Sequence, residues 1–212
     1  MKKVIANIKL QISNFMRKAN LHFTICIAFL SGCSSPYLPI YNTAPISLAT
    51  PYVAITDVSR IGNYVVTSSG GHNGFDFLAT QNMTVRAAAA GTVMDVERRS
   101  NSAHPVLQVN IRVRVNDKYT TVYNFEPFTG TESEIVTQES AILIHAGDHV
   151  SQGQTIGTLL PFDTSSAHVH FGVKEYADEV CPETFFATSD AAAMLALYQT
   201  STGATDNLCV VR

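Results

Sequence analysis

Beyond about residue 50 the chain is written in short runs of β-branched and aromatic residues, separated by Gly, Asn and Asp. The runs fall at 64–67, 91–96, 106–115, 119–125, 141–144, 155–160 and 169–174. Runs of this length bounded by turn residues predict the strands of an antiparallel β domain. The clearest pattern is Val109-Asn110-Ile111-Arg112-Val113-Arg114-Val115, where apolar residues alternate with Asn and Arg. Side-chain direction repeats every two residues in a strand, so this run predicts one apolar and one polar face. One segment has a helical pattern: Ala191 to Tyr198 is rich in Ala and Leu and can be capped by Ser189 or Asp190. The expected fold class is therefore mainly β, an antiparallel sheet domain with a short C-terminal helical appendage.

The head of the chain follows different rules. Met16-Arg17-Lys18-Ala19-Asn20 precedes an apolar run from Leu21 to Leu30, which ends in Ser31-Gly32-Cys33. A basic stretch, an apolar core and small residues make the layout of an export signal. Its twelve residues from Leu21 to Gly32 fall short of the roughly 20 that span a bilayer as a stable helix. Met16 alone opens a complete signal, so residues 1–15 read either as an extended basic region or as sequence preceding the true start. Leu30-Ser31-Gly32-Cys33 resembles the lipobox of bacterial lipoproteins. That resemblance implies cleavage before Cys33 and lipid attachment to its thiol; an ordinary cleaved signal is the alternative. Residues 34–50 carry Pro36, Pro39 and Pro45 without periodicity and read as a tether.

Charge and cysteine count change meaning once the head is set apart. Residues 1–32 hold five of the fourteen Lys and Arg and no acid, so Cys33 to Arg212 keeps nine against seventeen Asp and Glu, a net −8. Sequence-independent binding to nucleic acid rests on Lys and Arg neutralising phosphates, so a nucleic-acid partner is not expected. Of four cysteines, Cys26 lies in the signal and Cys33 at the lipid position, leaving Cys181 and Cys209. In an exported chain such a pair suggests a disulfide, with two free thiols as the alternative.

Outside the signal the histidines are His72, His104, His145, His149, His168 and His170. His104 reads as a loop residue beside Pro105, while His145 and His149 flank a turn at Gly147-Asp148. Two groups have a different character. Gly71-His72-Asn73-Gly74-Phe75-Asp76 sets an imidazole and a carboxylate four apart, and Ala167-His168-Val169-His170-Phe171 sets two imidazoles two apart. In extended strands both spacings place the side chains on one face. A catalytic zinc takes three ligands from His, Asp, Glu or Cys and leaves one position open. Four candidates for three places leave one imidazole for proton transfer. These residue types suit metal-assisted hydrolysis of an amide.

Over about Tyr64 to Val173 the chain resembles the lysostaphin-type, LytM-like zinc endopeptidases of bacterial cell walls. His72, Gly74 and Asp76 match that family's His-x-Gly-x-Asp segment, and His168, His170 and Phe171 its late His-x-His-Phe segment. Val85-Arg86-Ala87 through Gly91-Thr92-Val93 and the Gly147 to Gly157 stretch match its intervening hairpins in order. The resemblance implies a duplicated hybrid-barrel β fold, one Zn²⁺ held by His72, Asp76 and His170, His168 as the catalytic imidazole, Tyr123 in a substrate groove, and peptidoglycan or another peptide as partner. One position departs from the pattern. Where the family usually has Tyr-x-His, Tyr123-Asn124-Phe125 puts a phenylalanine that can neither donate nor accept a proton. The readings are then a slowed or rewired hydrolase, with Glu126, His104 or a substrate group compensating; a zinc-binding adaptor or regulator of cell-wall hydrolysis; or a biotinyl- or lipoyl-like structural β domain.

The expected organisation is a signal at 1–32, a tether at 33–50, a metallopeptidase domain at 51–178 and an appendage at 179–212 closed by Cys181–Cys209. The lipobox implies a membrane partner through the lipid. Ser34 after Cys33, rather than Asp, suits sorting to the outer membrane, facing the periplasm, by analogy with other lipoproteins.

Overall fold

The structure, a computed structural model, describes residues 41–67, 70–100 and 106–211. The export signal, Cys33, residues 34–40 of the tether and His104 lie outside the described residues. Thirteen strands are described in chain order: β1 (Arg60–Gly62), β2 (Tyr64–Thr67), β3 (Gly70–His72), β4 (Phe75–Leu78), β5 (Met83–Arg86), β6 (Gly91–Ser100), β7 (Leu107–Arg114), β8 (Tyr119–Thr129), β9 (His149–Val150), β10 (Thr155–Leu159), β11 (His168–Glu175), β12 (Asp178–Val180) and β13 (Cys209–Val211). Two helices join them, α1 (Glu132–Ser140) and α2 (Thr188–Thr202).

The main sheet runs β1-β4-β11-β8-β7-β6-β9, antiparallel throughout, with β12 paired to the far end of β11. Its alternation is the one the sequence sets out. Phe75 and Phe77 on β4, Val169 and Phe171 on β11, Tyr123 and Phe125 on β8, and Val109 and Ile111 on β7 all turn to one side and are buried. Aromatic rings interlock there, with Tyr123 5.3 Å from Phe171 and Tyr52 5.2 Å from Phe77 between centroids. The pair β10-β5 and a three-stranded sheet β13-β2-β3 complete the fold; in the latter β13 runs parallel to β2.

Three segments differ from the expectation. Residues 141–144 make only an isolated bridge, Ile142 to Gly157, and follow a helix, α1, where no helix was expected. That helix is fixed by tertiary contacts: Ile135 is buried, and the buried Gln138 amide donates to the Thr158 carbonyl and accepts from the Leu160 amide, both at 2.8 Å. Helix α2 starts earlier than its Ala-Leu core suggests. Its N-cap is Ala187, without a side-chain hydrogen bond, so Ser189 and Asp190 occupy the first turn instead of capping it; Gly203 closes the other end at φ 71°.

The end of the expected tether is docked. Leu48 is buried, its amide donates to the Phe185 carbonyl, and the Ala49 amide donates to the Ala88 carbonyl, both at 2.8 Å. The C-terminal segment is not a separable appendage either. Residues Asn42–Arg212 form one compact unit, in which β12 and β13 join sheets built by the preceding chain. Cys181 and Cys209 are disulfide-bonded with Cα atoms 6.0 Å apart, closing a separation of 28 residues. Among the described residues no helix is long and apolar enough to cross a membrane.

Candidate metal centre and active-site cleft

The face of the main sheet opposite the aromatic core is polar, and its register orders the polar residues into rows. Partners across a β ladder project to the same face. Asn110 pairs with Asn124, Asn124 with His170, and His170 with Asp76, one row across four strands. The next row sets Arg99 against Gln108 and Glu126 against His168. His72 reaches the end of the first row from β3, a strand of the three-stranded sheet.

Three of the four expected residues converge on one point. His72 Nε2 lies 3.0 Å from Asp76 Oδ1 and 3.1 Å from His170 Nδ1, and His170 Nδ1 lies 2.9 Å from Asp76 Oδ1. His72 Nδ1 is 2.6 Å from the Asn63 carbonyl, which can only accept, so the ring proton sits on Nδ1. The Nε2 lone pair of the neutral ring therefore faces a carboxylate oxygen and a second imidazole nitrogen at about hydrogen-bond distance. Such an arrangement repels unless a cation or proton is shared. For zinc–nitrogen bonds of about 2.0–2.1 Å, tetrahedral ligand atoms are separated by roughly 3.4 Å, close to what these side chains adopt. Two imidazoles and one carboxylate fit zinc. The space is kept open by Gly74, where a Cβ would come within 2.7 Å of His170 Nε2 and 2.5 Å of the Phe171 carbonyl.

Charge is coupled within the cluster. Burial alone would raise the Asp76 pKa, but the His170 and His72 imidazoles, which donate to the carboxylate when protonated, and the charge of His168 hold it far below the usual carboxylate range. Burial alone would lower that of His72, and the hydrogen bond and charge of Asp76 together with the Asn63 carbonyl outweigh it, raising the net value.

His168 stands beside the cluster, not in it. Its Nδ1 donates to the Ser166 carbonyl at 2.7 Å, leaving Nε2 to face Asp76 Oδ1 at 3.5 Å and Glu126 Oε2 at 3.7 Å. Comparison with known protein families matches residues 70–182 to peptidase family M23, a stretch that contains all four residues. The chain belongs to that family.

Solved structures with related folds include Helicobacter pylori Csd3 in a hexagonal crystal, 20% identical, with 68% of this chain and 34% of that one covered and a TM-score of 0.49. This chain thus spans about a third of the length of Csd3. The catalytic domain of the antimicrobial peptidase lysostaphin from Staphylococcus simulans is 18% identical over 63% of this chain and 97% of that one, TM-score 0.41. A zinc-containing peptidase from Vibrio cholerae is 21% identical over 66% and 37%, TM-score 0.39. Among curated proteins none matches in sequence.

Two sequence expectations for this M23 chain are corrected by strand parity. Tyr123 does not line a groove: it is fully buried in the aromatic core, where its hydroxyl accepts from the Ala88 amide at 2.7 Å. That burial pushes the phenol up to about 12. Phe125 shares its parity and is equally buried, so it does not occupy a site position. Asn124 and Glu126, the residues between and after them, face the cleft, and Glu126 stands directly across the ladder from His168. The sequence reading named Glu126 but missed Asn124, Gln108, Asn110 and the Asn63 carbonyl. The signal available was period two: the aromatic positions 119, 123 and 125 define the core face of β8 and leave 124 and 126 to the other. His145 and His149 lie elsewhere, His145 exposed near Asp148 and His149 Nδ1 3.1 Å from Thr92 Oγ1.

Proposed function

We propose that this M23 chain is a zinc-dependent endopeptidase that hydrolyses amide bonds in the peptide crosslinks of peptidoglycan. The observation that carries the reading is the convergence of His72 Nε2, Asp76 Oδ1 and His170 Nδ1 within about 3 Å, with an uncommitted imidazole nitrogen beside them. Zinc, when bound, supplies Lewis acidity toward the attacking water and the amide carbonyl.

The remaining work belongs to this chain's side chains. The Ser166 carbonyl holds His168 in the tautomer whose Nε2 can take a proton from the attacking water and return it to the leaving amine. Glu126 offers a negative charge 3.7 Å from the same nitrogen and favours the imidazolium that forms in between. The Asn63 carbonyl orients His72, as outer hydrogen bonds commonly do for metal-ligating histidines. The test is a paired one. Purified protein is assayed for zinc by elemental analysis and incubated with peptidoglycan while released peptides are followed by mass spectrometry. One zinc per chain with His168-dependent release is expected; zinc without release would favour an adaptor, and no zinc in either the wild type or His72→Ala would remove the site.

We also propose that the chain is exported and lipid-anchored through Cys33 at the periplasmic side of the outer membrane. The lipobox-like Leu30-Ser31-Gly32-Cys33 supports this reading, and so does the Cys181–Cys209 disulfide, which suits an oxidising compartment. Metabolic labelling with a fatty-acid analogue tests it: loss of label in Cys33→Ala is expected, and an unlabelled wild type would overturn it.

A further inference from the structure

The polar face does not end at the metal cluster. Past His170 and His168 the cleft continues over β8 and β7 and encloses about 620 Å³. Its floor there is built of amides. Gln108, only 6% exposed, donates from Nε2 to Asn110 Oδ1 at 2.6 Å, which fixes the orientation of its amide and leaves Oε1 with no protein partner. Asn124, paired in register between Asn110 and His170, likewise has a buried Oδ1 without a protein partner. Buried side-chain acceptors are rarely left unmatched, because an unpaired acceptor forfeits hydration without recompense. Two of them, both lining one cleft and both within one row of the proposed reaction centre, form a pattern that packing alone does not require.

We propose that Gln108 Oε1 and Asn124 Oδ1 form a substrate subsite that accepts main-chain N–H groups of a peptide lying across β7 and β8, and that they hold the peptide on one side of the scissile bond. This rests on the peptidase reading above. An extended peptide suits the site because its main-chain N–H groups have no partner of their own and need acceptors. The flanking Arg99 and Arg112 guanidiniums are already engaged by Glu97 and Asp95, so the floor presents neutral acceptors and not a cationic pocket for a free carboxylate.

The experiment uses the full chain and the near-isosteric variants Asn124→Leu and Gln108→Met, with a crosslinked muropeptide dimer as probe. Three quantities are read: kcat and KM of the zinc-loaded protein, Kd for the dimer in the metal-free protein, and the thermal midpoint. Each variant is expected to raise KM and Kd together by about two- to tenfold, the range of one lost hydrogen bond, with kcat nearly unchanged; the midpoint is expected to be unchanged or higher in Asn124→Leu and slightly lower in Gln108→Met, which also gives up the bond to Asn110. A structural role would instead lower the midpoint and depress kcat, and that result overturns the subsite. Unchanged KM and Kd in variants of a cleaving wild type also overturn it while leaving the peptidase reading intact. A wild type that binds the dimer without cleaving it refutes the peptidase reading, and the Kd comparison still decides the subsite. A wild type that does not bind the dimer overturns the subsite.

Discussion

Glu126 and His168 face each other across the β8–β11 ladder, carboxylate oxygen to imidazole Nε2 at 3.7 Å, with Glu126 only 5% exposed. A buried carboxylate in that place stabilises positive charge on the ring opposite it. Glu126→Gln keeps the shape and removes the charge, and is expected to lower kcat by about 10²-fold, the lower end of what a proton-transfer device contributes. Zinc content should be unchanged. Steady-state kinetics beside elemental analysis checks this; full kcat in Glu126→Gln would reduce the residue to a spacer.

Gly74 predicts a metal phenotype without touching a ligand. A methyl group there meets His170 Nε2 at 2.7 Å and the Phe171 carbonyl at 2.5 Å, so His170 must turn out of line. Gly74→Ala is expected to weaken zinc binding by about 10–100-fold, comparable to losing an outer support of a metal ligand. Competition with a fluorescent chelator measures it. Affinity equal to wild type would show that the turn yields and the histidine does not.

The cluster also predicts how pH acts on the metal-free protein. Asp76 has a depressed pKa when folded, so its contribution is present above the ordinary value of 3.8 and is lost as pH falls below it. His72 has a raised pKa when folded, so its contribution is complete below 6.5 and is lost as pH rises beyond it. Together they favour the metal-free fold most between about pH 4 and 6.5. Zinc displaces the ligand protons and should move that optimum upward. Thermal midpoints across pH, with and without zinc, test the shift; identical profiles would mean that the cluster does not bind the ion.

Reducing the disulfide should be felt well beyond the two sulfurs. Closing a loop of 28 residues contributes about 3–4 kcal/mol on the chain-entropy account. Chemical denaturation with and without reductant is expected to show that loss, with hydrogen exchange rising first in β13. A change below about 1 kcal/mol would show that strand pairing and α2 hold the segment without the bond.

Much of this could be read from residue order because strands expose their plan. His72 and Asp76, and His168 and His170, sit at spacings that alternation turns to one face, and the structure brings all four together. The cleft floor was harder, since Tyr123 is aromatic and polar-tipped and could serve either face; only its neighbours in the ladder send it into the core. Helix α1 was invisible for another reason. Ile135-Val136-Thr137 favours strand by composition, and what makes it helical is distant: Gln138 reaches Thr158 and Leu160, and Arg98 of β6 ion-pairs with Glu132 and Glu139. The docked stretch near Leu48 looked like a tether because its partners, Phe185 and Ala88, are far along the chain.

His72 belongs to β3 of the three-stranded sheet, while Asp76 and His170 belong to the large one. In the smaller sheet β3 is zipped to β2, β2 to β13, and β13 to Cys181 through its first residue, Cys209. An ion shared by the three ligands would thus rivet two sheets together. Its departure would loosen a chain of neighbours that ends at a sulfur bridge, making the redox condition around the protein and the supply of zinc two hands on the same latch.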